Sequence, residues 1–129
     1  MQVKIGDFGM AKLEGTDPSL KADISTFHHY LSPEMGIPLK GDLSESRFAV
    51  DLWAFGCITH ELLTQATPFA TCKEMISYLN GQEFARRNLF HRGISDKGIE
   101  FIERTITRKA ENRITAKQAL ESEWLQEPL

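Results

Sequence analysis

The feature that most constrains the fold is the segment from Phe48 to Leu63, which is apolar on nearly every side of a helix. A surface helix carries one apolar stripe, whereas a helix that is apolar all round is buried by its neighbours. Gly56 and Glu61 interrupt the run, and the segment is too short to span a bilayer as a helix. The sequence therefore predicts a buried helix in a globular domain.

Three further helices are indicated by a capping residue that is followed by apolar residues at helical spacing. The cap residues are Thr71, Ser95 and Thr115. Thr71 and Thr115 each have a Glu or Gln three positions later, which is the pattern of a capping box. The stretch from Gln82 to Gly93 shows no such pattern and is predicted to be irregular.

The remaining segments predict one strand and two loops. Val3-Lys4-Ile5 alternates apolar and polar side chains, as a short strand does. The stretches from Lys12 to Thr26 and from Gly36 to Ser46 are rich in Gly, Pro and polar residues, which favours loops. The predicted fold is mainly α, with one short N-terminal strand and about four helices in a single compact unit of 129 residues.

Composition narrows the class of protein. The net charge of −3 gives no reason to expect nucleic acid or a membrane surface as a partner. Lys4 and Asp7 interrupt any apolar run that could serve as a signal peptide. Cys57 and Cys72 are the only cysteines and have no metal-ligand spacing, so we expect free thiols. An intracellular location, in the cytoplasm or nucleus, is therefore expected.

Asp7-Phe8-Gly9 is the first candidate for chemistry, because it follows the predicted strand and opens a loop. The carboxylate of Asp7 can bind magnesium, a hard cation that prefers oxygen ligands and keeps several waters. Phe8 is expected to pack inward, and Gly9 to let the backbone turn sharply. The tripeptide alone is common, and its specificity comes from the longer string that begins at Val3.

Four motifs follow one another in a fixed order: Asp7-Phe8-Gly9, Ser32-Pro33-Glu34, Asp51-x-Trp53-x-x-Gly56 and Arg113. Together they resemble the C-terminal half of a eukaryotic-type protein kinase catalytic domain. The resemblance extends from Val3 to Leu125 and leans toward calcium/calmodulin-type and checkpoint-type serine/threonine kinases. It implies a partial kinase domain over 1–129, namely a C-lobe within an α+β parent fold, without the N-lobe and the catalytic loop. The activation segment would be 7–34 and the helical subdomain 48–125.

The resemblance also implies site roles for the first and second motifs. Asp7 would hold magnesium across the ATP phosphates, in a cofactor-binding motif with Phe8 and Gly9. Glu34 would form a buried ion pair with Arg113, a structural contact between residues that are far apart in the chain.

The resemblance implies that the third motif, Asp51-x-Trp53-x-x-Gly56, lies on the central buried helix of the domain. Trp53 and Gly56 would be structural residues there. Asp51 would be a buried carboxylate that accepts hydrogen bonds from the backbone of the catalytic loop. Because that loop is not in the sequence, Asp51 would lack its usual donors, and an unsatisfied buried carboxylate is costly.

The activation segment carries Ser25, Thr26, Phe27 and Tyr30. The family usually has a threonine three positions before this tyrosine, where the present chain has Phe27. Either a shift by one residue brings Thr26 to that place, or the contact that marks serine/threonine specificity is lost. Ser19, Ser25 and Thr26 are candidate phosphorylation sites by composition.

The resemblance implies part of a serine/threonine kinase that transfers the γ-phosphoryl of ATP to protein hydroxyls. ATP and magnesium would be cofactors of the full-length parent, and a protein substrate or regulatory protein its partner. The chain lacks the glycine-rich loop, the N-lobe lysine and the catalytic base. It is thus predicted to be catalytically incomplete and to bind no cofactor stably, and no catalytic residue is assigned in it. The alternative is a non-catalytic C-lobe product that acts as a protein-binding module.

Overall fold

The computed structural model describes residues 2, 4–10, 29–36 and 48–126. Most of these residues are helical, as the predicted mainly α fold requires. Two short 3-10 helices, Phe8–Met10 and Ala110–Asn112, accompany the α-helices. The α-helices in the described part of the chain are α1 (Pro33–Gly36), α2 (Ala49–Thr64), α3 (Cys72–Leu79), α4 (Arg87–His91), α5 (Asp96–Thr105), α6 (Ala116–Leu120) and α7 (Glu123–Gln126).

The three predicted caps begin their helices. Thr71 Oγ1 accepts the N–H of Glu74 at 3.2 Å, and Ser95 Oγ accepts an N–H of the first turn of α5 at 3.3 Å. Thr115 and Gln118 form a complete capping box, with each side chain accepting the other's backbone N–H at 3.2 and 2.9 Å. These caps satisfy N–H groups that have no partner within their own helix, and so they fix where each helix starts.

The main core lies between α2 and α5. Gly56 is the point of closest approach, because a Cβ atom there would lie 2.8 Å from Thr105 Cβ and 2.9 Å from Ile106 Cγ2. A second, smaller cluster joins α5 to α6 and contains Phe101 and Ile114. The buried residues of the main cluster are Trp53, Cys57, Phe69, Met75, Tyr78, Phe84, Leu89, Ile99, Ile102 and Ile106.

α2 is buried on one side only, so the prediction of a helix buried all round is wrong in the described structure. The buried side contains Trp53, Gly56, Cys57, His60 and Thr64. The opposite side is also apolar but is exposed to solvent. Its residues and their exposed fractions are Phe48 65%, Phe55 44%, Ile58 46% and Leu62 79%.

Two local predictions also differ from the structure. Lys4 and Ile5 are exposed and form no strand, because no neighbouring strand exists in the described ranges to share hydrogen bonds with them. Val3 lies outside those ranges. The stretch predicted to be irregular contains α4, whose Leu89 is fully buried in the main core. None of the helices described is long and apolar enough to cross a membrane.

Candidate functional site

A buried ion pair joins two of the motifs across 79 positions of sequence. Arg113 Nη1 lies 2.6 Å from Glu34 Oε1 and its Nη2 lies 3.1 Å from Oε2, which is a bidentate contact. Both side chains are at most 5% exposed. Arg113 also donates to the carbonyls of Ala49 at 2.7 Å and Thr107 at 3.1 Å. Its guanidinium carbon lies 5.1 Å from the centre of the Trp53 ring.

This network has a clear structural consequence. One arginine holds α1, the first residue of α2 and the segment after α5 together. A planar guanidinium suits this task, since it offers several donors in a fixed fork that matches a carboxylate. The pair lies out of water, so removing either partner would leave an uncompensated buried charge.

The backbone turn of the first motif occurs at Asp7. Asp7 has φ of 59°, in the left-handed region that Asp and Asn adopt more readily than most residues. The sharp turn predicted at Gly9 is therefore found two residues earlier, and Gly9 itself lies in a 3-10 helix. Phe8 is 69% exposed, so its predicted inward packing is wrong in the described structure.

Asp7 presents an exposed carboxylate, which can serve as one oxygen ligand. Its neighbour Gly9 leaves it room, since even an added Cβ would lie 3.5 Å from Asp7 Oδ1. The described part of the chain has no group of three His, Cys, Asp or Glu side chains that could hold a metal ion alone. Magnesium in phosphate-binding sites uses one or two carboxylates with waters and substrate phosphates, so a single exposed carboxylate fits such a site.

Asp51 lies on the exposed side of α2, so the predicted buried carboxylate is wrong. It stands in the first turn, where the helix dipole favours a negative charge and water solvates the group. Trp53 is fully buried and stacks on Phe69 with ring centres 5.8 Å apart. Its Nε1 has no hydrogen-bond partner among the described residues.

A contact that the sequence did not predict lies beside the second motif. Tyr30 Oη donates to Glu61 Oε2 at 2.5 Å, and His29 Nδ1 lies 3.1 Å from the carbonyl oxygen of Phe69. The hydrogen bond to Glu61 is the main reason that the pKa of Tyr30 is raised. The signal available in the sequence was Glu61 itself, an acid near the C-terminal end of an apolar helix, where the helix dipole disfavours negative charge.

Two titratable groups on the buried side of α2 are held neutral. Burial raises the pKa of Cys57 to about 12, which makes this thiol unreactive at neutral pH. Burial also lowers the pKa of His60, whose Nδ1 lies 2.8 Å from the carbonyl oxygen of Ala66. The neutral ring therefore donates from Nδ1, and it packs edge-on against Phe84 with ring centres 5.7 Å apart. Both groups are part of the packed core.

Ser25, Thr26 and Phe27 lie outside the described residues, as do most positions of the two predicted loops. The structure therefore brings together Glu34, Arg113 and the Trp53 ring, and it adds Tyr30 at the edge of the same segment. Asp7 and its neighbours have no contact with this group among the hydrogen bonds and ion pairs of the described ranges.

The chain belongs to the protein kinase domain family, whose family model matches residues 1–125. Serine/threonine-protein kinase cds1 of Schizosaccharomyces pombe is 32% identical over 129 residues, covering 95% of this chain and 27% of that protein. A probable myosin light chain kinase of Dictyostelium discoideum is also 32% identical, covering 97% of this chain and 35% of that protein. The chain thus spans about a third or less of the length of these curated relatives.

A solved structure supports the same fold. The Rad53 kinase domain and SCD2 in complex with AMPPNP superposes with a TM-score of 0.63 at 26% identity. The match covers 77% of this chain and 38% of that one. The predicted membership of the kinase family and the predicted mainly α, C-lobe-like fold are therefore confirmed, and the chain is a serine/threonine protein kinase family member.

Proposed function

We propose that the chain is part of a serine/threonine protein kinase that transfers the γ-phosphoryl of ATP to hydroxyls of a protein substrate. The observation that carries this proposal is the bidentate contact between Glu34 and Arg113. This contact brings together two of the family's motifs that are far apart in the sequence, and it holds α1 against the helical core. The named relatives are protein kinases, and the Rad53 structure contains a nucleotide analogue, which supports ATP as the cosubstrate.

In this proposal Asp7 is the residue of the chain that binds magnesium. When bound, the ion neutralises charge on the transferring phosphate. The contribution of Asp7 is an exposed carboxylate at a sharp backbone turn. The segment that contains Tyr30 and Glu34 would lie where the protein substrate binds, since it forms the end of the proposed activation segment.

The exposed apolar side of α2 supports the further proposal that this chain is catalytically incomplete by itself. The residues concerned are Phe48, Phe55, Ile58 and Leu62, which lie on one side of the helix. Each large apolar side chain that becomes buried contributes about 1.5–3 kcal/mol. We propose that the rest of a kinase domain, including the nucleotide-binding lobe and the catalytic base, packs against this side.

The test is a phosphoryl-transfer assay of the full-length protein with magnesium, radiolabelled ATP and a serine- and threonine-containing protein. We expect phosphoserine or phosphothreonine in the product. Asp7→Asn should lower the rate by about a hundredfold or more, the scale of losing one group that stabilises transferring charge. Asp96→Asn, at an exposed position of α5, is the matched control and should leave the rate unchanged.

Two results would contradict the proposal. The first is a full-length protein without phosphoryl transfer, which would favour the non-catalytic, protein-binding alternative. The second is an Asp7→Asn variant that is as active as the unmodified protein. The 129-residue chain alone should show no turnover, and measurable turnover by it would refute the proposed incompleteness.

A further inference from the structure

The short helix α4 is anchored to the core on one side and presents its other side to solvent. Leu89 is fully buried in the main core, and its carbonyl oxygen accepts the N–H of Ile94 at 3.1 Å just beyond the helix. Arg87, Phe90 and His91 are exposed, and helical spacing places them on the side opposite Leu89. These three side chains therefore stand on a turn of helix that the core holds in place.

The charges around α4 are unevenly distributed. Arg86 is paired with Glu103, with its Nε and Nη2 atoms 2.6 and 2.9 Å from the two carboxylate oxygens. This hydrogen bond is the main reason that the pKa of Arg86 is raised, and the charges of Glu83 and Asp96 act in the same direction. Among the residues that the structure describes, Arg87 takes part in no ion pair. The acidic side chains thus neutralise Arg86 and leave Arg87 as an open positive charge.

His91 holds the side chain of Arg87 in a defined position. Arg87 Nε donates to His91 Nε2 at 3.3 Å, one turn further along the helix. This contact uses one N–H of the guanidinium, and neither Nη group donates to a residue within the described ranges. A guanidinium edge with available N–H groups matches a carboxylate, which can accept two of them side by side. Arg87 is therefore oriented by its own helix and can still bind an anion.

Phe90 provides an apolar surface beside this charge. Its side chain is 55% exposed, and it lies three residues after Arg87 on the same side of α4. Arg92 follows at the end of the helix, where its Nη2 contacts the carbonyl oxygen of Thr64 at 3.4 Å and the amide oxygen of Gln65 at 3.5 Å. Both acceptors are neutral, so Arg92 adds a second positive charge about 7.5 Å along the helix from the first, which is within the screening length of salt solutions.

We propose that Arg87, Phe90 and His91 form a docking site for an acidic segment of a partner protein. A carboxylate of the segment pairs with Arg87, an apolar side chain lies on Phe90, and His91 is a positioning residue that orients the guanidinium. The acidic side chains gathered around Arg86 repel like charge, so the acidic residues of the segment lie on one side of its apolar residue. The same acidic side chains and the net charge of −3 disfavour a nucleic acid in this place. This site goes beyond the proposed function and does not depend on it.

The test measures the binding of fluorescent peptides to the full-length protein by anisotropy. In one probe two glutamates precede a phenylalanine, in a second probe they follow it, and all other positions are glycine or alanine. Neither probe has a hydroxyl group, so neither can accept a phosphoryl group. One of them should bind with a dissociation constant below about 1 mM. Peptides with lysine in place of glutamate should bind at least about fivefold more weakly.

Variants at exposed positions separate the docking site from general surface effects. Arg87→Gln should weaken binding by about threefold to fivefold, whereas Arg104→Gln, at an exposed arginine of α5, is the matched control and should not change it. Phe90→Ser should weaken binding by about fivefold, with Leu120→Ser as the control at a leucine that is 70% exposed. His91→Leu should weaken binding by about twofold. His91→Gln keeps an acceptor oxygen and should bind like the unmodified protein.

Several outcomes would overturn the docking site. They are the absence of binding by both probes up to about 1 mM, equal binding of the lysine peptides, and equal losses in Arg87→Gln and Arg104→Gln. At least about tenfold tighter binding of a phosphoserine peptide or a single-stranded oligonucleotide would assign the surface to a phosphate ligand instead. Self-association of the protein that Arg87→Gln abolishes would assign it to a second copy. Absence of kinase activity would contradict the proposed function and leave the binding result as it stands.

Discussion

The two sides of α2 have similar apolar sequences but opposite surroundings. One side, with Trp53 and Cys57, is fully buried against α5 and the loops around it. The other side, with Phe55, Ile58 and Leu62, faces solvent in the described structure. An apolar pattern therefore shows where a helix is covered in a complete domain, without showing which segment covers it. The exposed side is therefore the strongest physical reason to look for the rest of a kinase domain.

The largest effect on stability is expected at the buried ion pair of Glu34 and Arg113, which holds the start of α2 in place. Glu34→Ala should lower the free energy of unfolding by about 3–5 kcal/mol, because Arg113 would remain as an unpaired buried charge. Urea unfolding measures this loss. Glu103→Ala is the matched control, since Glu103 pairs with Arg86 near the surface, with side chains 26% and 54% exposed. Similar losses in the two variants would contradict the claim that burial makes the first pair important.

A smaller effect is expected at the contact between α2 and α5. Gly56→Ala should destabilise the protein by about 1–3 kcal/mol, because the new methyl group would overlap Thr105 and Ile106. Gly6→Ala is the control, since a Cβ at Gly6 meets nothing within 4 Å. Thermal or urea unfolding of both variants gives the comparison. Equal stability of Gly56→Ala and the unmodified protein would show that α2 and α5 are less closely packed than described.

The stability of the folded protein should also depend on pH through His60, which lies on the buried side of α2. Its pKa is lowered by burial, so the folded protein prefers the neutral ring and the unfolded chain binds more protons. This contribution to stability is complete above the unfolded pKa of about 6.5 and is lost as the pH falls below it. Urea midpoints from pH 7.5 to 5.5 should fall more steeply for the unmodified protein than for His60→Gln. If the urea midpoints of the two proteins fall in parallel with pH, His60 does not cause the pH dependence of stability.

The smallest effect is expected on the exposed side. Leu62→Ala should change the stability of the 129-residue chain by no more than about 0.5 kcal/mol, because the side chain is already in water. Leu89→Ala, at a fully buried leucine of α4, is the matched control and should cost about 2–5 kcal/mol. Urea unfolding of both variants measures the difference. A large loss in Leu62→Ala would mean that this side is already covered within the chain.

The sequence predicted local features well and long-range surroundings poorly. The caps at Thr71, Ser95 and Thr115 were predictable because each cap satisfies N–H groups of its own first turn. The short helix α4 carried no such signal, since Arg86 precedes it without a side-chain cap, and the burial of Leu89 holds it in place. Propensity cannot reveal a helix that is stabilised mainly by tertiary packing.

The candidate site shows the same division between local features, which the sequence predicted, and long-range surroundings, which it did not. The pairing of Glu34 with Arg113 was predictable only through the family resemblance, because nothing local connects residues 79 positions apart. The exposure of Asp51 and Phe8 was mispredicted, since burial depends on the segments that lie opposite them. The contact between Tyr30 and Glu61 was missed, although an acid at the end of an apolar helix was a usable signal.

We propose that the rest of a kinase domain covers the exposed side of α2, and the accessibility of that side to solvent tests this. The most direct measurement is the alkylation rate of a Leu62→Cys variant in a Cys72→Ser background, followed by peptide-resolved mass spectrometry. The buried Cys57, with its high pKa, should not react. Labelling at position 62 should be rapid in the 129-residue chain and at least about tenfold slower in the full-length protein. Equal rates in the two proteins would contradict this proposal.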